Sequence, residues 1–190
     1  MYENKILINL YVVSMDNSFN KVVIDANNFF DNFDYNMSYI NSNFNNFIDN
    51  LKKIDDSIQE VFIKNNGNIK SLKGINNYLC IIIGIEKFMD KLDEEHRNMF
   101  KEIINHNKEM LKLNFVLIDV PSGFKKFEYE EWYKNNVDTD DGLWIGSGVV
   151  QQYALKILIQ PAGIANIEND FGIVLKNGMP TVVKLINEIK

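Results

Sequence analysis

The chain has 190 residues, with 26 acidic against 20 basic side chains and a formal net charge of −6. That length fits about one domain able to bury a substantial core, and the acidic balance argues against a general affinity for nucleic-acid phosphates or anionic lipid. One cysteine, Cys80, sits inside an apolar run, so no internal disulfide and no multi-cysteine metal site is expected, and a buried, inert thiol is the natural reading.

No segment approaches the roughly 18 consecutive apolar residues of a membrane span, and Met1-Tyr2-Glu3-Asn4-Lys5 lacks the arrangement of a secretory signal. The expectation is a cytoplasmic piece without direct membrane contact. Residues 6–13 fit either a strand or a short helix, because Ile6, Leu7, Leu10 and Val13 also match helical spacing. After the turn-like Asp16-Asn17-Ser18, residues 21–26 read as a strand with Asp25 at its carboxyl tip.

Phe44, Phe47, Ile48, Leu51, Ile54, Ile58, Val61 and Phe62 recur at three and four among polar residues, which predicts an amphipathic helix ending near Asn65-Asn66-Gly67. The Ile-rich run at 79–85 follows and predicts a central strand covered on both faces, ending in Glu86-Lys87. A charged helical region extends from Glu86 to about Lys112, with a break around Asp93. Residues 113–119 form a further predicted strand, stopped by Val120-Pro121-Ser122-Gly123. A short aromatic helix is predicted over 127–133, and strands at 143–146, 153–160, 171–175 and 181–186. Asn177-Gly178 is a strong hairpin signal, since both residue types tolerate positive φ.

Strands separated by long helices imply parallel crossovers in the first part, whereas the end reads as antiparallel. With no repeat and no dividing linker, the expectation is one domain spanning 1–190: a mixed, mostly parallel sheet with helices on its faces. Its carboxyl ends would carry Asp25, Glu86 and Asp119 along one edge, where open α/β sheets usually hold ligands.

In nucleoside triphosphatases such a strand tip carries an Asp that orients magnesium and often a Glu that polarises water. Here one acid, Glu86, precedes a lysine, Lys87, whose charge would repel a metal ion. Glu86 also has a simpler reading, as an acid favoured at a helix N-terminus. No G-x-x-x-x-G-K-[ST] cradle occurs in the sequence, and Gly146-Ser147-Gly148 copies only part of a dinucleotide fingerprint, so a tight turn explains it better. His96 and His106 lack clustered ligand partners and read as surface histidines. Ser122 and Ser147 have no identifiable His-Asp partners, and Arg97, the single arginine, reads as part of a solvated helix face.

The central strand running into Glu86-Lys87-Phe88-Met89-Asp90-Lys91-Leu92, followed by Phe115-Val116-Leu117-Ile118-Asp119, resembles the FtsK/SpoIIIE-type ATPases. The downstream part is similar to the C-terminal, third ATPase-like domain of the EssC-type motors of type VII secretion. That likeness rests on residues 124–133, 142–148 and 151–153, and on Gly172 to Pro180. It runs from about residue 21 to 190.

The resemblance implies a P-loop NTPase fold as a three-layer sandwich, here without the phosphate-binding loop. Residues 5–15 would match the helix after that loop, Glu86 the metal-orienting acid, and Lys87 the place of the catalytic acid. It further implies a degenerate, non-hydrolysing domain of a membrane-anchored motor, with ATP and magnesium belonging to the parent protein rather than to this piece. Its partners would be secreted proteins, other secretion subunits or neighbouring ATPase domains, with no nucleic acid. Two alternatives remain: a hydrolysing domain completed by an upstream phosphate loop, and an FtsK-type DNA translocase.

Overall fold

The computed structural model describes residues 8–15, 35–137, 139–146, 148–149, 152, 154–158 and 170–185. It is a mixed α/β structure with two compact units, Met1–Lys126 and Phe127–Lys190.

In the first unit, strands β1 (Ile8–Ser14), β2 (Tyr35–Ile40), β3 (Asn77–Ile83) and β4 (Leu113–Ile118) form one sheet in the order β2-β1-β3-β4. Every pairing is parallel. Helices α1 (Phe44–Lys64), α2 (Ile85–Lys91), α3 (Glu94–Met110) and α4 (Pro121–Lys125) supply the rest, with a short 3-10 turn at Ile69–Gly74. The amphipathic helix and the helix break stand as the spacing predicts, the break being made by Leu92 and by Asp93, whose carboxylate caps α3 through the His96 amide at 2.9 Å.

Two expectations change, and one strand was not foreseen. Residues 8–14 are a strand paired on both sides, so they cannot match a helix following a phosphate loop. The β-branched Val12-Val13 pair and burial between two neighbours override the helical spacing. β2 escapes the sequence reading because Tyr35-Asn36-Met37-Ser38-Tyr39-Ile40 is a polar edge strand with little apolar contrast. The central strand is complete by Ile83. Gly84, with φ of 79°, turns the chain, and Glu86 lies in the first turn of α2 rather than at the strand tip.

Cross-strand register places Tyr11, Cys80 and Phe115 in one row and Val13, Ile82 and Leu117 in the next. Helices α1 and α3 cover this face: Tyr11 meets Phe47 at 5.7 Å, and Phe100 meets Phe115 edge-on at 5.7 Å. Phe88 of α2, fully buried, bridges them through edge contacts to Phe44, Phe47 and Phe100. Burying such a ring is worth up to about 3 kcal/mol from area alone, with edge-to-face pairing adding to it. Burial of β3 is complete on that face only; Cys80 and Ile82 are sealed, whereas Leu79, Ile81 and Ile83 are half-buried.

The second unit contains α5 (Glu131–Asn136) and an antiparallel sheet, β5 (Gly142–Ile145), β6 (Phe171–Lys176) and β7 (Met179–Lys184), in that order. Its core is Val149, Ile173 and Leu175, with Trp144, Leu155 and Ile157 packed against it. Phe127, Trp132 and Tyr133 make a separate aromatic cluster with centroid distances of 5.5 to 6.3 Å. The expected short helix over 127–133 therefore begins later, at Glu131, after a turn that holds Phe127 inward.

The β6-β7 hairpin turns at Asn177-Gly178 as predicted, with φ of 50° and 69°. The expected strand over 153–160 does not form among its described residues, 154–158. Their amides go to two different turns, Lys156 to the Thr139 carbonyl at 2.9 Å and Leu158 to that of Gly178 at 3.0 Å. That arrangement satisfies the donors without a ladder.

Candidate functional site at the carboxyl edge of the parallel sheet

The connection from β1 leads to β2 on one side, while β3 leads to β4 on the other, so the sheet has a topological switch point between β1 and β3. Open α/β sheets bind ligands outside the strand ends at such a point. The strand ends there are held level by backbone bonds: the Met15 amide donates to Ile83 O at 3.3 Å, and the Gly84 amide to Ile118 O at 2.8 Å. A Cβ on Gly84 would lie 3.3 Å from that of Met15, which leaves little room beside the β1 end.

Glu86 and Asp119, two of the acids named from the sequence, come together here. The Glu86 amide donates to Asp119 Oδ2 at 2.9 Å, and the Val120 amide donates to Asp119 Oδ1 at 2.8 Å. Asp119 thus spends both carboxylate oxygens on backbone donors, one of them an otherwise unmatched amide of the first turn of α2. Gly123 packs against it so closely that an added Cβ would stand 2.5 Å from Asp119 Cγ.

The Glu86 carboxylate pairs with the Lys126 ammonium, which also reaches Asp90 Oδ2 at 3.5 Å. Because Glu86 and Asp90 are four apart on one helix, a single cation can serve both. These carboxylates hold the Lys126 ammonium above its ordinary value, the hydrogen bond it donates to Glu86 being the largest cause. Lys87 points to solvent. Asp25 lies outside the described residues.

Other residues singled out in the sequence lie elsewhere. Gly146 and Gly148 both have positive φ, 89° and 86°, as a tight turn needs; Ser147 lies outside the described residues. Ser122 is exposed and Arg97 half-buried, its Nε donating to Asp93 O at 3.4 Å. Cys80 is fully buried, and burial pushes its thiol well above the ordinary range. Among the described residues no group of three or more His, Cys, Asp or Glu side chains could hold a metal ion, and no helix is long and apolar enough to cross a membrane.

Of the two histidines expected at the surface, His106 has its side chain 38% exposed and His96 is more covered. Both face α1 from α3, His96 with its side chain only 14% exposed. Asp55, fully buried, accepts from Gln59 Nε2 at 2.7 Å and Asn107 Nδ2 at 2.8 Å and lies 3.0 Å from His106 Nδ1. Sequence reasoning missed this cluster, although a signal existed: Asp55 falls between Leu51 and Ile58 on the apolar stripe of α1. A carboxylate placed there requires hydrogen-bond partners from the facing helix.

No family model and no curated protein matches the chain. Among solved structures it is similar to the pCW3 conjugation coupling protein TcpA, in its monomer form with ATPγS. The likeness has a TM-score of 0.52 at 9% identity and covers 95% of this chain but 52% of that one, so the chain spans about half the length of the structure it matches. At this identity the likeness is one of fold, and it agrees with the P-loop NTPase-like α/β architecture expected from the FtsK/SpoIIIE resemblance.

Proposed function

We propose that this chain is a degenerate ATPase-like domain of a type VII secretion motor of the EssC kind. It recognises exported proteins or regulates neighbouring ATPase domains, and does not hydrolyse ATP itself. In this reading it is the cytoplasmic part of a membrane-anchored parent. The fold likeness to a coupling protein whose structure holds ATPγS supports a place among nucleotidase-like motor domains.

The observation that carries the loss of hydrolysis is the commitment of both edge acids to internal partners. Glu86 is neutralised by Lys126, and Asp119 is occupied by the amides of Glu86 and Val120. A magnesium–nucleotide does not fit the residues present. The sequence offers no glycine-rich loop whose amides could balance phosphate charge, and Lys87 adds a positive charge beside the one acid in the metal-orienting place.

Titration calorimetry of the 190-residue chain with magnesium and ATP tests the reading. No heat of binding is expected at micromolar nucleotide. Binding in the micromolar range would overturn it in favour of a nucleotide-using domain.

A further inference from the structure

His96 occupies a position that a neutral imidazole cannot satisfy. Its Nδ1 lies 2.6 Å from Asp93 Oδ1, and its Nε2 lies 3.3 Å from Asp49 Oδ1. A neutral ring carries one N–H and one lone pair, so one of these contacts would set a lone pair against a carboxylate oxygen. Only the doubly protonated imidazolium donates to both.

The two carboxylates belong to different elements. Asp93 is the N-cap of α3, and Asp49 lies on α1. Asn45 of α1 reinforces the same junction by donating through Nδ2 to Asp93 Oδ2 at 2.7 Å. The charged side chains acting on the ring are Asp93 and Asp49; Glu94, Glu95 and Arg97 share its turn of α3, and Arg97 is engaged with the Asp93 carbonyl.

The other end of the α1–α3 contact centres on the buried Asp55. Asp55 accepts from the Asn107 and Gln59 side-chain amides, donors that keep their hydrogens at any pH of interest, with His106, Lys52 and, beyond them, Asp56 and Glu102 as its titratable surroundings. Each end thus carries one amide bridge between the helices, Asn45 to Asp93 and Asn107 to Asp55, and the N-terminal end adds an imidazole set between two carboxylates.

We propose that His96 is a proton-dependent latch that holds the N-terminal end of α3 against α1, while the Asp55 cluster keeps the far end closed. Losing the proton breaks the Asp49 or the Asp93 contact and loosens the first turn of α3, while the Asn45–Asp93 and Asn107–Asp55 bridges keep the helices together. The latch is independent of whether the domain binds nucleotide. Asp93 and Asp49 raise His96 above its ordinary value of 6.5, so the latch stays closed to higher pH than a free imidazole would hold its proton and opens on the alkaline side.

The test uses the whole chain. Imidazole nitrogen NMR reads the protonation of each ring nitrogen, and native-state hydrogen exchange reads the Arg97 amide, which donates to the Asp93 carbonyl at 3.0 Å. At pH 6 both His96 nitrogens should be protonated, with the titration midpoint above 6.5 and lower in Asp49→Asn than in the wild type. Protection of the Arg97 amide, corrected for intrinsic exchange, should fall across that titration in the wild type and in His106→Gln. In Asp49→Asn the fall should move to lower pH.

A single-tautomer neutral His96 at pH 6 would overturn the latch. So would a midpoint unmoved by Asp49→Asn, or Arg97 protection indifferent to pH. Asp49 is 45% exposed, so its replacement leaves the core intact and the readout does not depend on a variant that fails to fold.

Discussion

The Asp119 carboxylate accepts the Glu86 amide at 2.9 Å across the end of the parallel sheet, joining the residue after β4 to the first turn of the helix after β3. This one bond fixes where both edge acids stand. It ties Asp119 to the backbone and leaves the Glu86 side chain to pair with Lys126. Replacing Asp119 by Ala should cost about 1 kcal/mol, the usual loss for a helix-capping acceptor, read as a lower urea midpoint by circular dichroism.

Gly123 should behave as part of the same device. A methyl group there would stand 2.5 Å from Asp119 Cγ and push the carboxylate off its two amides. Gly123→Ala should therefore destabilise at least as much as Asp119→Ala, and the double variant should be much less destabilised than the sum. Simple additivity in that double-mutant cycle would show that the two residues act separately.

Asp55 is a buried carboxylate held by Asn107, Gln59 and His106. Asp55→Ala leaves those partners facing a void and should cost roughly 3 kcal/mol. Substituting Asp55 and Asn107 together by apolar residues should restore part of the loss, because both ends of the mismatch are then removed. Urea denaturation followed by far-UV circular dichroism compares the two variants.

The pH dependence of the first unit follows from two shifts of opposite sign. His96 is raised, first by its hydrogen bond with Asp93, so its contribution is complete below 6.5 and is lost as pH rises through the raised midpoint. Asp93 is lowered, first by the His96 amide, so its contribution is complete above its ordinary 3.8 and is lost as pH falls through the lowered one. Stability should therefore plateau between these limits. His96→Gln should lose the alkaline decline, which thermal melts from pH 4 to 9 would reveal.

Cys80 offers a direct probe of β3. Fully buried, with its thiol pushed up by desolvation, it should not react with Ellman's reagent in the native state but should react promptly in denaturant. Rapid labelling of the native chain would contradict the packing of α1 and α3 over the sheet.

In the second unit, Gly178 has φ of 69°, and a Cβ on it would lie 2.6 Å from Leu158 Cγ. Both strain and contact oppose a side chain. Gly178→Ala should lower the stability of the β6-β7 hairpin by about 1 kcal/mol or more, visible as faster exchange of the β6 amides.

The amphipathic helix at 44–64, the break at Asp93, the Leu113 strand and the Asn177-Gly178 turn were legible because each rests on local signals: apolar spacing, a capping acid, β-branched and aromatic runs, and residues that accept positive φ. The sequence by itself also determined that Cys80 is a lone thiol, that no phosphate cradle is present, and that Glu86 is followed by a cation.

Tertiary structure decided the rest. It made 8–14 a strand by flanking it with two partners, and it recruited the polar segment 35–40 as an edge. It turned Glu86 into the first turn of a helix capped by Asp119, and set both histidines of α3 against acids of α1. These outcomes depend on residues distant in sequence arriving within hydrogen-bond reach, and local periodicity carries no information about which carboxylate will meet which donor.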